Sequence, residues 1–217
     1  NSFYNIKKLL DEKRVVLFSG TPCQVNGLKR FLNNDYDNLI TVDLVCHGVP
    51  SPKMFNDYIT FLEKKYRSKI LEYKFRCKNH KCAQSYDTKI VFHNGKNIII
   101  SGDDDVFTNN YLANKLQNKN CYDCRFTSLK RDSDITLGDF WNVQKIIPDM
   151  YDTRGVSSII INSNKGQELF ENIKEDIKYK ECTLEDVILS NPSLKQSAIL
   201  NKNREFFINE YDKNNLS

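Results

Sequence analysis

Cys121-Tyr122-Asp123-Cys124 sets two thiols with two residues between them, a spacing at which both can face one metal ion without straining the backbone between them. One such pair is half a site, and the sequence offers two sets of partners. Cys77 and Cys82 have four residues between them, and with the pair they complete a Cys-x4-Cys plus Cys-x2-Cys arrangement suited to a structural zinc. Cys23 and Cys46 form the other set. Each stands at the turn after an apolar run of buried-strand length, so two neighbouring strands would bring both thiols to the sheet edge where open α/β folds place their ligands. Cys23 also falls in the first turn of an expected helix, where unpaired backbone N–H groups favour a thiolate. His47 adds a possible donor beside Cys46, and Cys182 is isolated and expected to be inert. For any single cysteine the competing role is that of a small buried apolar residue. Seven cysteines is an odd number, which excludes a complete internal disulfide framework and leaves metal or cofactor ligation as the leading reason for so many thiols.

The elements that must position these residues follow from hydrophobic spacing. A short helical stretch closes at Leu9-Leu10, and Arg14 to Ser19 then forms a continuous apolar run that stops at Gly20. Thr21 can cap a helix with Pro22 in its first turn and Val25, Leu28 and Leu32 on one face. A second unit of the same kind has Leu39 to Cys46 as strand, Ser51 as cap, Pro52 at the first helical position, and Phe55, Tyr58, Ile59, Leu62 and Tyr66 as a stripe. Two such units in succession predict parallel neighbouring strands joined by a crossover helix. Residues 70–75, 88–93 and 97–101 read instead as antiparallel strands, with Asn94-Gly95 as a two-residue hairpin turn. A helix over 106–116 leads to Cys121, followed by a basic loop at Lys130-Arg131 expected to be solvated. A strand over 135–137 ends at Gly138. A strand over 156–161, a helix over 165–177 and a polar helical tail from Thr183 complete the chain. The expected fold is α/β, a mixed sheet of parallel strand–helix units with an antiparallel hairpin insertion. The expected division is a domain over 1–182, with the insertion at about 70–101, and a helical extension over 183–217.

The backbone turns offer a second chemistry. Gly20-Thr21-Pro22 and Gly48-Val49-Pro50 each present N–H groups that could hold an anion such as a dinucleotide pyrophosphate. Gly138-Asp139-Phe140-Trp141 joins a strand end, a carboxylate and the single tryptophan. His80 and His93 read as surface or hairpin residues. The sequence contains no Ser–His–Asp constellation, His-x3-His motif or Walker-type glycine loop.

Gly20-Thr-Pro-Cys-Gln24, Asp43-Leu-Val-Cys-His-Gly48, Cys121-x-x-Cys124, Ser133-Asp-Ile-Thr-Leu-Gly-Asp139 and the run from Arg154 to Gly166, in that order, resemble the coenzyme F420 hydrogenase/dehydrogenase beta-subunit family over about residues 14–180. The resemblance implies an oxidoreductase that carries FAD and a [4Fe–4S] cluster and passes electrons between iron–sulfur centres and a deazaflavin or another two-electron acceptor. It puts cluster ligation on Cys23, Cys46, Cys121 and Cys124. Thr21, Gln24, His47, Gly48, Gly138, Asp139 and Ser157 become candidates for the flavin shell. The implied partners are a ferredoxin-like electron-transfer protein, or a ferredoxin-like domain upstream, and a small redox substrate. The alternative is a non-catalytic module with zinc on Cys77, Cys82, Cys121 and Cys124.

Composition is consistent with either reading. The 217 residues are 40% hydrophobic and 28% charged, enough for a packed core. A net charge of +4 is too balanced for a dedicated nucleic-acid or membrane-surface binder. The apolar runs fall far short of the roughly 20 residues that span a bilayer, so a cytoplasmic location without a membrane span is expected. Because the chain opens on Asn1-Ser2, with its first Met at position 54, it is expected to be a fragment or a processed product.

Overall fold

The computed structural model describes residues 2–77 and 87–215; Cys82 and His80 lie outside the described residues. Along the chain come α1 (Ser2–Asp11), β1 (Val16–Gly20), α2 (Pro22–Leu32), β2 (Leu39–Leu44), α3 (Pro52–Tyr66), β3 (Ile70–Lys74), β4 (Thr88–Phe92) and β5 (Asn97–Ile100). Then follow α4 (Val106–Leu112), β6 (Ile135–Asp139), α5 (Val143–Ile146), β7 (Ser157–Ile161), α6 (Asn164–Ile173), α7 (Leu184–Ser190) and α8 (Arg204–Asn215). The chain divides into two compact units. One runs through Cys46 and takes in Arg125–Tyr151 and Val156–Gln196; the other comprises His47–Cys124, Asp152–Gly155 and the residues from Ser197 onward.

The first unit is built on a four-stranded sheet in the order β1-β2-β6-β7. β1, β2 and β6 are mutually parallel and β7 runs antiparallel to β6, so the mixed α/β architecture is as expected. Leu39, Thr41 and Asp43 alternate inward along β2. Leu39 meets Leu10 of α1 and Leu28 and Leu32 of α2 in one apolar cluster, each such side chain contributing roughly 1.5–3 kcal/mol by leaving water. Thr21 and Ser51 precede α2 and α3, and a proline follows each at the first helical position, because its missing N–H costs nothing there.

Further along β2 the inward positions become polar. Asp134 accepts hydrogen bonds from the Thr41 N–H and hydroxyl (both 2.7 Å) and from the Ser163 hydroxyl (2.7 Å). Burial pushes its carboxyl up, but these donors and the charge of Lys165 outweigh that and hold it below the usual carboxylate range. Ser163 in turn caps α6 by accepting from the Gly166 N–H. No room exists for a side chain at Gly166, where a Cβ would lie 2.3 Å from the Asp134 carbonyl oxygen.

The second unit packs α3 against the antiparallel sheet β3-β4-β5 through Leu62, Ile90 and Phe92. Its organiser is Asp105, fully buried at the start of α4. Oδ1 accepts from the Phe107 and Thr108 N–H groups and the Tyr58 hydroxyl, and Oδ2 accepts from the hydroxyls of Tyr73, Thr88 and Thr108. Burial, then the Asp105 charge, pushes both tyrosine hydroxyls well above their ordinary range.

Two local expectations need correction. The hairpin between β4 and β5 is a three-residue loop, His93-Asn94-Gly95, closed by Phe92 N–H to Lys96 O, with Gly95 alone of the three at positive φ (+82°); the glycine therefore serves the position after the turn, not its second centre. α4 stops at Leu112 instead of 116. Asn114 turns left-handed (φ +58°), and Gln117 Nε2 takes the Tyr111 carbonyl that a continuing helix would use.

Candidate functional site

Strand register decides where Cys23 and Cys46 emerge. Gly20 pairs with Asp43 across the parallel strands β1 and β2, and each cysteine lies three residues beyond its member of that pair. The Val45 N–H still donates to Leu137 O (2.8 Å), so β2 stays aligned with β6 up to the residue before Cys46. Because β6 is parallel to β2, Asp139 and its register partner Ser157 lie at the same end of the sheet as Thr21 and Cys46. Cys23 is exposed and Cys46 half-buried.

The groups around Cys23 are set by the start of α2. Gln24 Oε1 accepts from both the N–H (2.8 Å) and the hydroxyl (3.1 Å) of Thr21, and Thr21 Oγ1 is 3.1 Å from Cys23 Sγ. Gly138 differs from its expected role. β6 runs through it to Asp139, and a Cβ there would stand 2.8 Å from Val45 Cγ2, so close packing accounts for the glycine. Of Lys130-Arg131, Lys130 is exposed as expected, but the Arg131 side chain is not: it is 2% exposed and lies 3.5 Å from Asp43.

Cys121 and Cys124 belong to the second unit, together with His47 and Gly48. Gly48 has φ +97°, and a Cβ on it would lie 2.8 Å from Gln117 Cγ and 3.1 Å from Cys121 Cβ. Only glycine fits. Tyr111 donates its hydroxyl to Gly48 O (3.0 Å) and meets the His47 ring edge-on. Tyr122, between the two cysteines, reaches Asn114 O (2.8 Å) with its hydroxyl, and the Cys124 N–H donates to Ser197 Oγ (3.2 Å). Gln117, Ser197 and Arg204 carry no signal in the sequence, where nothing marks a polar residue that holds a loop from a distance.

Cys23, Cys121, Cys124 and Cys182 are free thiols. The Cys77 N–H donates to Asp87 O (2.6 Å), and its proposed partner Cys82 is among the residues not described. Cys182 is exposed, and desolvation, then Asp186, pushes its thiol up. Among the described residues, no three His, Cys, Asp or Glu side chains converge closely enough to hold a metal ion, and no helix is long and apolar enough to cross a membrane.

Residues 13–187 match the family model for the C terminus of the coenzyme F420 hydrogenase/dehydrogenase beta subunit. A search of curated proteins found no match.

Proposed function

The chain belongs to the coenzyme F420 hydrogenase/dehydrogenase beta-subunit family, a family of oxidoreductase subunits, and from that premise we propose that it holds an iron–sulfur cluster on Cys23, Cys46, Cys121 and Cys124 beside FAD. The observation that carries the reading is the register: two cysteines the same number of residues beyond paired residues of adjacent parallel strands. The donor chemistry suits a cluster, since all four side chains are cysteines and thiolates are its ordinary ligands. Gly48 supports it, because the turn that follows Cys46 is shaped to lie against Cys121 Cβ with no side chain between.

A bound flavin supplies conversion between two-electron and one-electron transfer, which a cluster alone cannot perform. The chain's own part is to bind and orient. N–H groups at the start of α2 favour the anionic pyrophosphate. Gln24 spends its carbonyl oxygen on capping α2, so its amide nitrogen is the group it would offer a flavin. His47, Gly48, Asp139 and Ser157 are the remaining candidates, with Gly138 kept for its backbone. A protein electron carrier and a small two-electron substrate are the partners this chemistry requires.

Anaerobic purification of the full-length protein tests the reading. Iron, labile sulfide and flavin are expected together, with iron lost in Cys23→Ser and Cys46→Ser and retained in Cys77→Ser. A colourless protein with about one zinc per chain, held through Cys77, would overturn it.

A further inference from the structure

The segment from Ser197 to Arg204 lies beyond the span matched by the family model, yet it is tied to the Cys121–Cys124 loop at several points within one compact unit. Ser197 Oγ accepts from the Cys124 N–H at 3.2 Å. Arg204 Nε donates to the Tyr122 hydroxyl (3.1 Å), its guanidinium stands 5.3 Å from the Tyr122 ring centroid, and Nη2 donates to Gln117 O (3.3 Å). Asn201 Nδ2 adds a bond to Ala113 O (2.8 Å), just after α4. The planar guanidinium thus holds the residue between the two cysteines and the buried Gln117 at once, through two nitrogens in fixed relative geometry.

We propose that Ser197–Arg204 is a clamp that positions the two thiols of this loop, with Arg204 fixing the loop's geometry and Ser197 setting the reduction potential of the cluster; this rests on Cys121 and Cys124 being cluster ligands. The chemistry behind the second part is hydrogen bonding to sulfur. Backbone N–H groups that donate to ligand or cluster sulfurs stabilise the reduced, more negative state and raise the potential. Ser197 commits the Cys124 N–H to a hydroxyl oxygen, withholding it from sulfur and keeping the potential low. Groups hydrogen-bonded to the ligands themselves are typically worth about 10–100-fold in metal affinity, and Arg204, which acts one step further out through Tyr122 and Gln117, falls at the low end of that range.

The test uses full-length Ser197→Ala, Arg204→Ala, Arg204→Lys and Tyr122→Phe. Ser197→Ala is expected to keep its iron and titrate at a more positive potential. Arg204→Ala is expected to lose iron to a chelator about tenfold faster, Arg204→Lys to recover only part of that, and Tyr122→Phe to fall between because it keeps the ring and loses the hydroxyl. Thiol alkylation of the iron-free chain, mapped by peptide mass, needs no cluster. In Arg204→Ala, Cys121 and Cys124 should react faster while exposed Cys23 is unchanged. Wild-type protein without iron overturns the parent reading and leaves the alkylation result to judge the clamp. Unchanged alkylation in Arg204→Ala, or an unmoved potential in iron-loaded Ser197→Ala, overturns the part assigned to that residue.

Discussion

Asp43 and Arg131 form a buried ion pair whose geometry is poor enough to measure. Both side chains are 2% exposed, yet Nη1 and Oδ2 are 3.5 Å apart, well beyond the roughly 2.7–2.9 Å of a strong charge-assisted bond. Among the described residues, none of the three guanidinium nitrogens has a hydrogen-bond acceptor, and Asp43 Oδ1 has no donor. Burial, the leading effect, pushes the Asp43 carboxyl up against the pull of Thr136, Arg131 and Ser133. The two partners therefore differ in what happens when either is left alone. Asp43→Asn strands a guanidinium that cannot shed its charge and should cost about 3–5 kcal/mol. Arg131→Met leaves a carboxyl that can take a proton, so it should cost less, roughly 1–3 kcal/mol, as for an unmatched neutral group. The double variant should cost less than the sum of the two single changes, because neither partner is then left charged and alone. In Arg131→Met the sign of the pH dependence follows from the raised carboxyl: its stability is fully present below the unfolded pKa of about 3.9 and declines as pH rises through the folded value. Hydrogen exchange of the β2 and β6 amides reports the opening free energy of the first unit directly. Arg131→Met proving more damaging than Asp43→Asn, or Asp43→Asn costing under about 1 kcal/mol, would refute the reasoning.

Three further outcomes follow from single sites. Gly48→Ala must bear both the strain at φ +97° and a Cβ 2.8 Å from Gln117 Cγ; a loss of about 2–5 kcal/mol is expected, with faster alkylation of Cys121 as the readout. Asp105→Asn replaces an acceptor of six hydrogen bonds by a group that must also donate, and should cost at least about 3 kcal/mol by exchange of the β4 amides. Asp134 is held below its ordinary range, so its contribution is present above the unfolded pKa and lost as pH falls through the folded one; Thr41→Val, which removes one donor, should move acid unfolding of the first unit to higher pH.

The sequence was legible where periodicity and caps act locally. Thr21-Pro22 and Ser51-Pro52 marked the starts of α2 and α3 because a first-turn proline suits a position whose N–H needs no partner, although Ser51 makes no side-chain capping bond. The parallel pairing of β1 with β2 was legible for a related reason, since a strand–helix–strand connection leaves few alternatives. What was hidden depends on tertiary partners. Arg131 reads as a solvated charge until Asp43 is known to face it, and Asp105 reads as one of three consecutive aspartates, although six donors converge on it. Gly138 reads as the end of a strand, whereas Val45, with Ser158 beside it, leaves no room for a side chain there. The tail from Ser197 offered no apolar stripe to mark its binding face, because it is held by scattered polar and cation–ring contacts from Ser197, Asn201, Arg204, Phe207 and Tyr211.

The four proposed ligands are held in two physically different ways, and this predicts how each pair responds to change. Cys23 and Cys46 follow strands whose hydrogen-bonded register continues to Gly20 on one and Val45 on the other, and a sheet register cannot shift by part of a residue. Their placement is all or none: it survives surface changes and fails when the sheet fails. Cys121 and Cys124 sit instead on a short irregular turn held by individual bonds from Tyr122, Arg204 and Ser197, each worth about 0.5–1.5 kcal/mol, or more where the guanidinium charge takes part. Removing one loosens that pair by a graded amount without unfolding anything. Any tuning of the site is therefore expected to act through the loop and its clamp, while substitutions near the strand ends should either do nothing or abolish the site.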